Sequence, residues 1–170
     1  MTAYLRLRIP GATYFFTVCL EDRTSTALID HIDALRHAYA VTVREMPVTC
    51  RAMVILPDHL HAIWTLPPDD SDFSERWRRI KARFSNQINA RVPRSASKII
   101  KREGGIWQRR FWEHVIRDEH ALQSALTYCW QNPVKHGFAE TPDSWTYSSF
   151  NKTAGKDGQY CPSYASTLVL

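Results

Sequence analysis

Two histidines one residue apart, His59 and His61, begin the stretch HLHAIWTL. In a strand, both imidazoles leave one face, while Leu60, Ala62, Trp64 and Leu66 leave the other. Two imidazoles on the side of a sheet away from its core can share a divalent cation and leave positions open for substrate. Such a site needs at least one more ligand. Tyr128 and Asn132 stand at i and i+4, on one face of a helix, well off the centre of the Leu122, Ala125, Leu126 and Cys129 stripe. Each residue also has a plainer reading. Seven histidines produce chance pairs, a tyrosine at a stripe edge packs, and an asparagine before a proline stops a helix.

The second chemical feature is charge. The chain has 170 residues, and its 22 Lys and Arg against 17 Asp and Glu give a net charge of +5. Residues 76–117 hold 13 basic and two acidic side chains, a net of +11, which leaves −6 for the remainder. A mid-chain block of one sign is a polyanion footprint or, more plainly, a solvated helix face with a charged loop. The four cysteines are scattered, with no C-x-x-C, so neither a zinc knot nor a disulfide framework is expected. No run approaches the roughly 20 apolar residues of a membrane span, and the N-terminus lacks a secretory pattern. The expected location is the cytoplasm.

The elements that must position these residues follow from pattern. Residues 12–20 (ATYFFTVCL), 49–56 (TCRAMVIL), 59–66 and 111–117 read as strands. The middle pair is joined through a Pro57-Asp58 turn as an antiparallel hairpin. A first helix is expected to open at Asp30, with Asp33 completing an approximate capping box. A second, from about 72 to 90, buries Trp77, Ile80, Phe84 and Ile88, with Arg76, Arg79 and Arg83 on one flank and Arg78 and Lys81 on the other. Residues 91–105 read as a mobile loop, and Asp118 caps a third helix over 119–131 that Pro133 and Gly137 restrict. The order β-α-β-β-α-β plus a helix predicts an α+β, ferredoxin-like antiparallel sheet with the tyrosine on the added helix. One domain is expected over residues 1–150, with a loosely attached tail over 151–170.

Six stretches, in order, carry a resemblance. They are Tyr14-Phe15-Phe16-Thr17, VILPDHLHAIWTLP (54–67), WRRIKARFS (77–85), GIWQRRFWEHVIR (105–117), YCWQNPVKHG (128–137) and WTYSSF (145–150). Together they resemble the REP-associated tyrosine transposases, relatives of the single-tyrosine transposases of small bacterial insertion sequences. Gln131 departs from the aromatic residue expected there. The resemblance implies a His-hydrophobe-His (HUH) single-stranded DNA nuclease that recognises hairpins of repetitive extragenic palindromes and cuts and rejoins the strand beside them. It places His59 and His61 as metal ligands, Tyr128 as nucleophile and Asn132 as the residue completing the metal site.

With those roles, attack by the Tyr128 phenol on a phosphodiester leaves a 5′-phosphotyrosine and a free 3′-hydroxyl. A divalent ion, Mg²⁺ or Mn²⁺, would offset a phenol pKa near ~10 by polarising the phosphate. The general base is not named by sequence, with His114 a candidate. Arg78, Arg79, Lys81, Arg83, Arg109 and Arg110 are expected to hold DNA phosphates, and Trp107 and Trp112 either stack bases or fill the core. Competing readings are a hairpin-binding module that does not cut and a dimeric insertion-sequence transposase that swaps its tyrosine helix. Pro133 favours a short helix docked in its own subunit, hence a monomer.

Overall fold

A computed structural model describes residues 6–89, 96–100 and 104–153 of the chain. The elements are β1 (Thr13–Cys19), α1 (Ala27–Asp30), α2 (Ile32–Glu45), β2 (Thr49–Ile55), β3 (His59–Thr65), α3 (Phe73–Ile88), α4 (Ala96–Ile100), β4 (Trp112–Ile116), α5 (Glu119–Lys135), a 3₁₀ turn (Pro142–Ser144) and α6 (Phe150–Thr153). The four strands form one sheet in the order β2-β3-β1-β4, with every neighbouring pair antiparallel. This is the α+β architecture expected from the pattern of strands and helices.

The strand period of two divides the core into two layers. Tyr14, Phe16, Val18, Leu60, Ala62 and Trp64 leave one face and pack under Leu35, Ala38 and Tyr39 of α2 and Trp77, Ile80 and Phe84 of α3. Trp64 and Trp77 stack at 4.2 Å between ring centroids, joining sheet to helix. Phe15, Val54, Ile63 and Ile116 leave the other face and pack under Leu126 and Cys129 of α5. In β2 a bulge between Cys50 and Ala52 resets the alternation. Ala52 and Val54 therefore join the α5 layer, while Cys50, Met53 and Ile55 join the other.

Several helix expectations need correction. Asp30 does not open the first long helix. It ends the short α1, where its carboxylate accepts from Thr26 Oγ1, and α2 starts after His31 with no side-chain cap. Arg76 is not on a polar flank but buried, bonded to Asp70 and to the carbonyls of Met46, Pro47 and Asp72. Pro133 lies inside α5, not beyond it, and the helix runs on to Lys135. Pro133 deprives α5 of one intrahelical bond without ending it, and Gly137, at φ +73°, supplies the left-handed stop. Within the 91–105 segment, Ala96–Ile100 is helical, and residues 90–95 and 101–103 lie outside the described residues. So do 154–170, most of the expected tail. Asp118 caps α5 as expected, accepting from Ala121 N, and Asp72, where the second helix is expected to begin, caps α3 by accepting from Glu75 N.

Candidate active site

β3 and α5 meet on the face opposite α2 and α3. His59 and His61 alternate with core residues of the other layer, so both imidazoles enter the α5 side, with ring centroids 5.1 Å apart. Both are buried. The Tyr128 ring stands 5.5 Å from that of His61 and 5.7 Å from Phe15. It is 45% exposed, which leaves the phenol open to a solvent-borne substrate. Asn132, one turn further along α5, is buried and donates from Nδ2 to the Tyr128 carbonyl. The structure thus brings together all four residues singled out by spacing.

The ring nitrogens of the pair are differentiated by their partners. His59 Nδ1 donates to Asp58 Oδ1 at 2.7 Å, and Asp58 is in turn bonded by Arg23. His61 Nδ1 pairs with Thr17 Oγ1 at 2.9 Å. Anchoring each ring through Nδ1 leaves Nε2 as the free nitrogen, the arrangement by which oxygen partners orient metal-binding histidines. His61 Nε2 and Asn132 Oδ1 are both buried and make no well-formed hydrogen bond, each having only the side chain of the other close enough to interact. An orphaned lone pair in a folded interior is costly unless something fills the gap. Two such atoms of the N and O types that divalent cations accept fit a cation well.

Electrostatics agree with neutral ligands. Burial pushes His61 down to about 4, and the neighbouring His59 pushes in the same direction. Burial also lowers His59, against the opposing pull of Asp58. Burial alone would raise Asp58, but hydrogen bonds from His59 and Arg23 outweigh it and hold the carboxyl low. Unprotonated imidazole is the form that binds a metal. Among the described residues no cluster of three His, Cys, Asp or Glu could hold an ion, so a cation bound at this pair would need a ligand of another type, such as Asn132.

Some neighbours were not singled out by sequence. His136 packs on His59, with centroids 5.2 Å apart, and the Lys135 ammonium lies 5.4 Å from the Tyr128 ring centroid. Both follow Asn132 within one turn, so the helical period was the available signal. In sequence Asp58 reads only as a turn former, yet a carboxylate beside an H-x-H pair is itself a cue to an anchored imidazole. His114, the general-base candidate, lies on β4 and stacks on Trp112.

The cations lie elsewhere. α3 covers the other face of the sheet, so Arg78, Arg79, Lys81 and Arg83 are across the sheet from Tyr128. Arg78 and Arg79 pair with Glu75, and Arg79 and Arg83 with Glu45 of α2. Lys81 donates to the Gln108 carbonyl, and Arg109 to Ser97 Oγ. Arg6, Arg78, Lys81 and Arg109 line a groove of about 670 Å³ between α3 and residues 104–111. Arg110 is exposed next to it. Trp107 is buried against Phe84, whereas Trp112 is 54% exposed. Among the described residues no helix is long and apolar enough to cross a membrane.

Comparison with known proteins supplies the family. Residues 9–132 match the model of the IS200-like transposases. A REP-associated tyrosine transposase of Escherichia coli K12 is 39% identical over 92% of this chain and 87% of its own length. A second relative, from Haemophilus influenzae, is 42% identical over 89% of this chain and 87% of its own length. A solved structure of a REP-associated tyrosine transposase bound to a REP hairpin superposes with a TM-score of 0.81 at 37% identity, covering 94% of each chain. The chain therefore belongs to the IS200-like transposases and, within them, to the REP-associated tyrosine transposases.

Proposed function

We propose that this transposase cuts and rejoins single-stranded DNA beside hairpins of the REP type, with Tyr128 as nucleophile. The observation that carries the reading is the pair of orphaned atoms, His61 Nε2 and Asn132 Oδ1, next to an exposed phenol. In the cleavage step Tyr128 Oη forms a bond to phosphorus, the P–O3′ bond breaks, and the phenol loses its proton. The products are a 5′-phosphotyrosine and a free 3′-hydroxyl. Because the phosphoester is conserved, a 3′-hydroxyl can attack it in reverse and reseal a strand without a nucleotide cofactor.

His59, His61 and Asn132 are the residues that would hold Mg²⁺ or Mn²⁺, which when bound polarises the scissile phosphate. Asp58 and Thr17 orient the two imidazoles, and Arg23 keeps Asp58 ionised. The exposed ring of Tyr128 admits a strand from solvent, while its packing on Phe15 and His61 limits the orientation of its oxygen.

Hairpin DNA is the partner this family relationship points to, since the solved relative was bound to one. The groove lined by Arg6, Arg78, Lys81 and Arg109 suits a phosphate backbone, with Arg110 exposed beside it, whereas Arg79 and Arg83 turn to Glu45 of α2 and lie outside its lining. The helix bearing Tyr128 docks on the sheet of its own chain through Leu126 and Cys129, which supports a site complete in one monomer. The test is incubation with a labelled hairpin oligonucleotide and Mn²⁺. Wild-type protein is expected to give a covalent protein–DNA adduct. Adduct formation undiminished in His59→Ala would overturn the metal assignment.

A further inference from the structure

β4 is an edge strand, and its outward residues on the α5 side make a surface outside both the candidate metal site and the basic groove. Trp112 and His114 stand two apart on that face, opposite Thr17 and Phe15 of β1. Their rings are parallel to within 4°, with centroids 5.7 Å apart, and both are exposed. Glu113 between them turns the other way, buried and paired with Arg6, which fixes the strand's orientation. A half-exposed indole is unusual in a protein that buries Trp64, Trp77 and Trp107 almost completely.

The surface is continuous with the candidate active site. Phe15 lies between them, its ring 5.9 Å from Trp112 and 5.7 Å from Tyr128. An object lying on the indole is thus two ring contacts from the nucleophile. Over Tyr128, on the side of α5, stands the cationic Lys135. Flat aromatic faces beside a cation are the two components by which proteins hold unpaired nucleotides, one for the base and one for the phosphate.

We propose that Trp112, backed by His114, is a stacking platform for one unpaired base of the strand that Tyr128 cuts. It holds the scissile phosphate in register with the phenol. The proposal rests on the strand-cleavage reading above. It gives this part of the molecule a role in binding the single-stranded arm, separate from the groove that suits the hairpin.

Two variants and a substrate series test it. Binding of hairpin oligonucleotides with short single-stranded arms is measured for wild type, Trp112→Ala and Trp112→Phe, with abasic sites placed at each arm position in turn. Trp112→Ala is expected to weaken binding by roughly 5- to 150-fold, the range for loss of one stacked base, with Trp112→Phe recovering much of it. At one arm position an abasic substrate is expected to bind wild type as weakly as Trp112→Ala, because the stacking partner is already gone. A hairpin without arms is expected not to distinguish the proteins. If no abasic position weakens wild-type binding, the platform is wrong even if Trp112→Ala misfolds. If Trp112→Ala binds every substrate like wild type while adducts still form, this inference fails and the cleavage reading stands. Absence of any Tyr128-dependent adduct overturns that reading instead. A change of oligomeric state in Trp112→Ala with unchanged DNA binding would assign the surface to a second copy of the chain.

Discussion

Asn132 adjoins His61 in the interior beside Tyr128, and the Oδ1 of the one and the Nε2 of the other are buried with no well-formed hydrogen bond beyond their own contact. Asn132→Leu removes the poorly satisfied Oδ1 but also the Nδ2 donation to the Tyr128 carbonyl, so it is expected to cost about 0.5–1.5 kcal/mol of unfolding free energy. Adduct formation is expected to fall by more than about 100-fold, since a candidate ligand is removed outright. Denaturant unfolding and a gel-based adduct assay on the same sample check both.

Asp58 orients His59 without facing the nucleophile. Asp58→Asn keeps the shape but weakens the hold on the imidazole. The expected effect is a roughly 10- to 100-fold higher Mn²⁺ concentration for half-maximal cleavage, with the saturated rate less affected. A Mn²⁺ titration of the cleavage rate separates the two.

Metal binding to the folded state should appear without DNA. Mn²⁺ at about 100 times its dissociation constant is expected to stabilise the protein by about 2.7 kcal/mol, and His61→Ala is expected to abolish that gain. Thermal unfolding with and without Mn²⁺, and again with excess chelator, measures it.

Much of this was readable from residue order. The alternation HLHAIWTL places the histidines opposite Leu60, Ala62 and Trp64, and the structure has that division. The i, i+4 spacing of Tyr128 and Asn132 likewise survives into α5. What stayed hidden depends on partners distant in sequence or on backbone irregularity. Arg23 reaches Asp58 across 35 residues, and Glu45 of α2 takes two cations of α3. The basic block therefore looked freer in sequence than it is. The bulge in β2 leaves no mark in TCRAMVI, and Pro133 suggests an earlier end to α5 than the one Gly137 sets.

Arg76 illustrates the structural use of a cation in the basic block. It is 1% exposed and its guanidinium spans Asp70 and two carbonyls before β2. Asp70→Asn is expected to cost about 3–5 kcal/mol by leaving a buried charge without its counter-ion. The Arg76 hydrogen bond holds the Asp70 carboxyl below its usual range. Its contribution is thus present above the unfolded value near ~3.9 and is lost as pH falls through the lower folded value. Unfolding curves from pH 7 down to pH 2 should show the wild type losing this margin and Asp70→Asn lacking it throughout.

For the groove, each lost phosphate contact should appear in the salt dependence. Arg109→Ala is expected to weaken hairpin binding for all sequences alike and to reduce the slope of log K against log salt by about one. Glu45→Gln, which releases Arg79 and Arg83 on the α2 side and outside the groove lining, is expected to leave that slope unchanged. Titrations across salt concentrations provide both.

Locating the covalent bond tests the central claim most directly. The protein is reacted with a hairpin oligonucleotide and Mn²⁺, the DNA is trimmed with nuclease, and the proteolytic peptides are analysed by mass spectrometry. The peptide containing Tyr128 is expected to carry the nucleotide through its phenolic oxygen, and Tyr128→Phe is expected to yield no modified peptide. Attachment at another residue, or an adduct that persists in Tyr128→Phe, would contradict it.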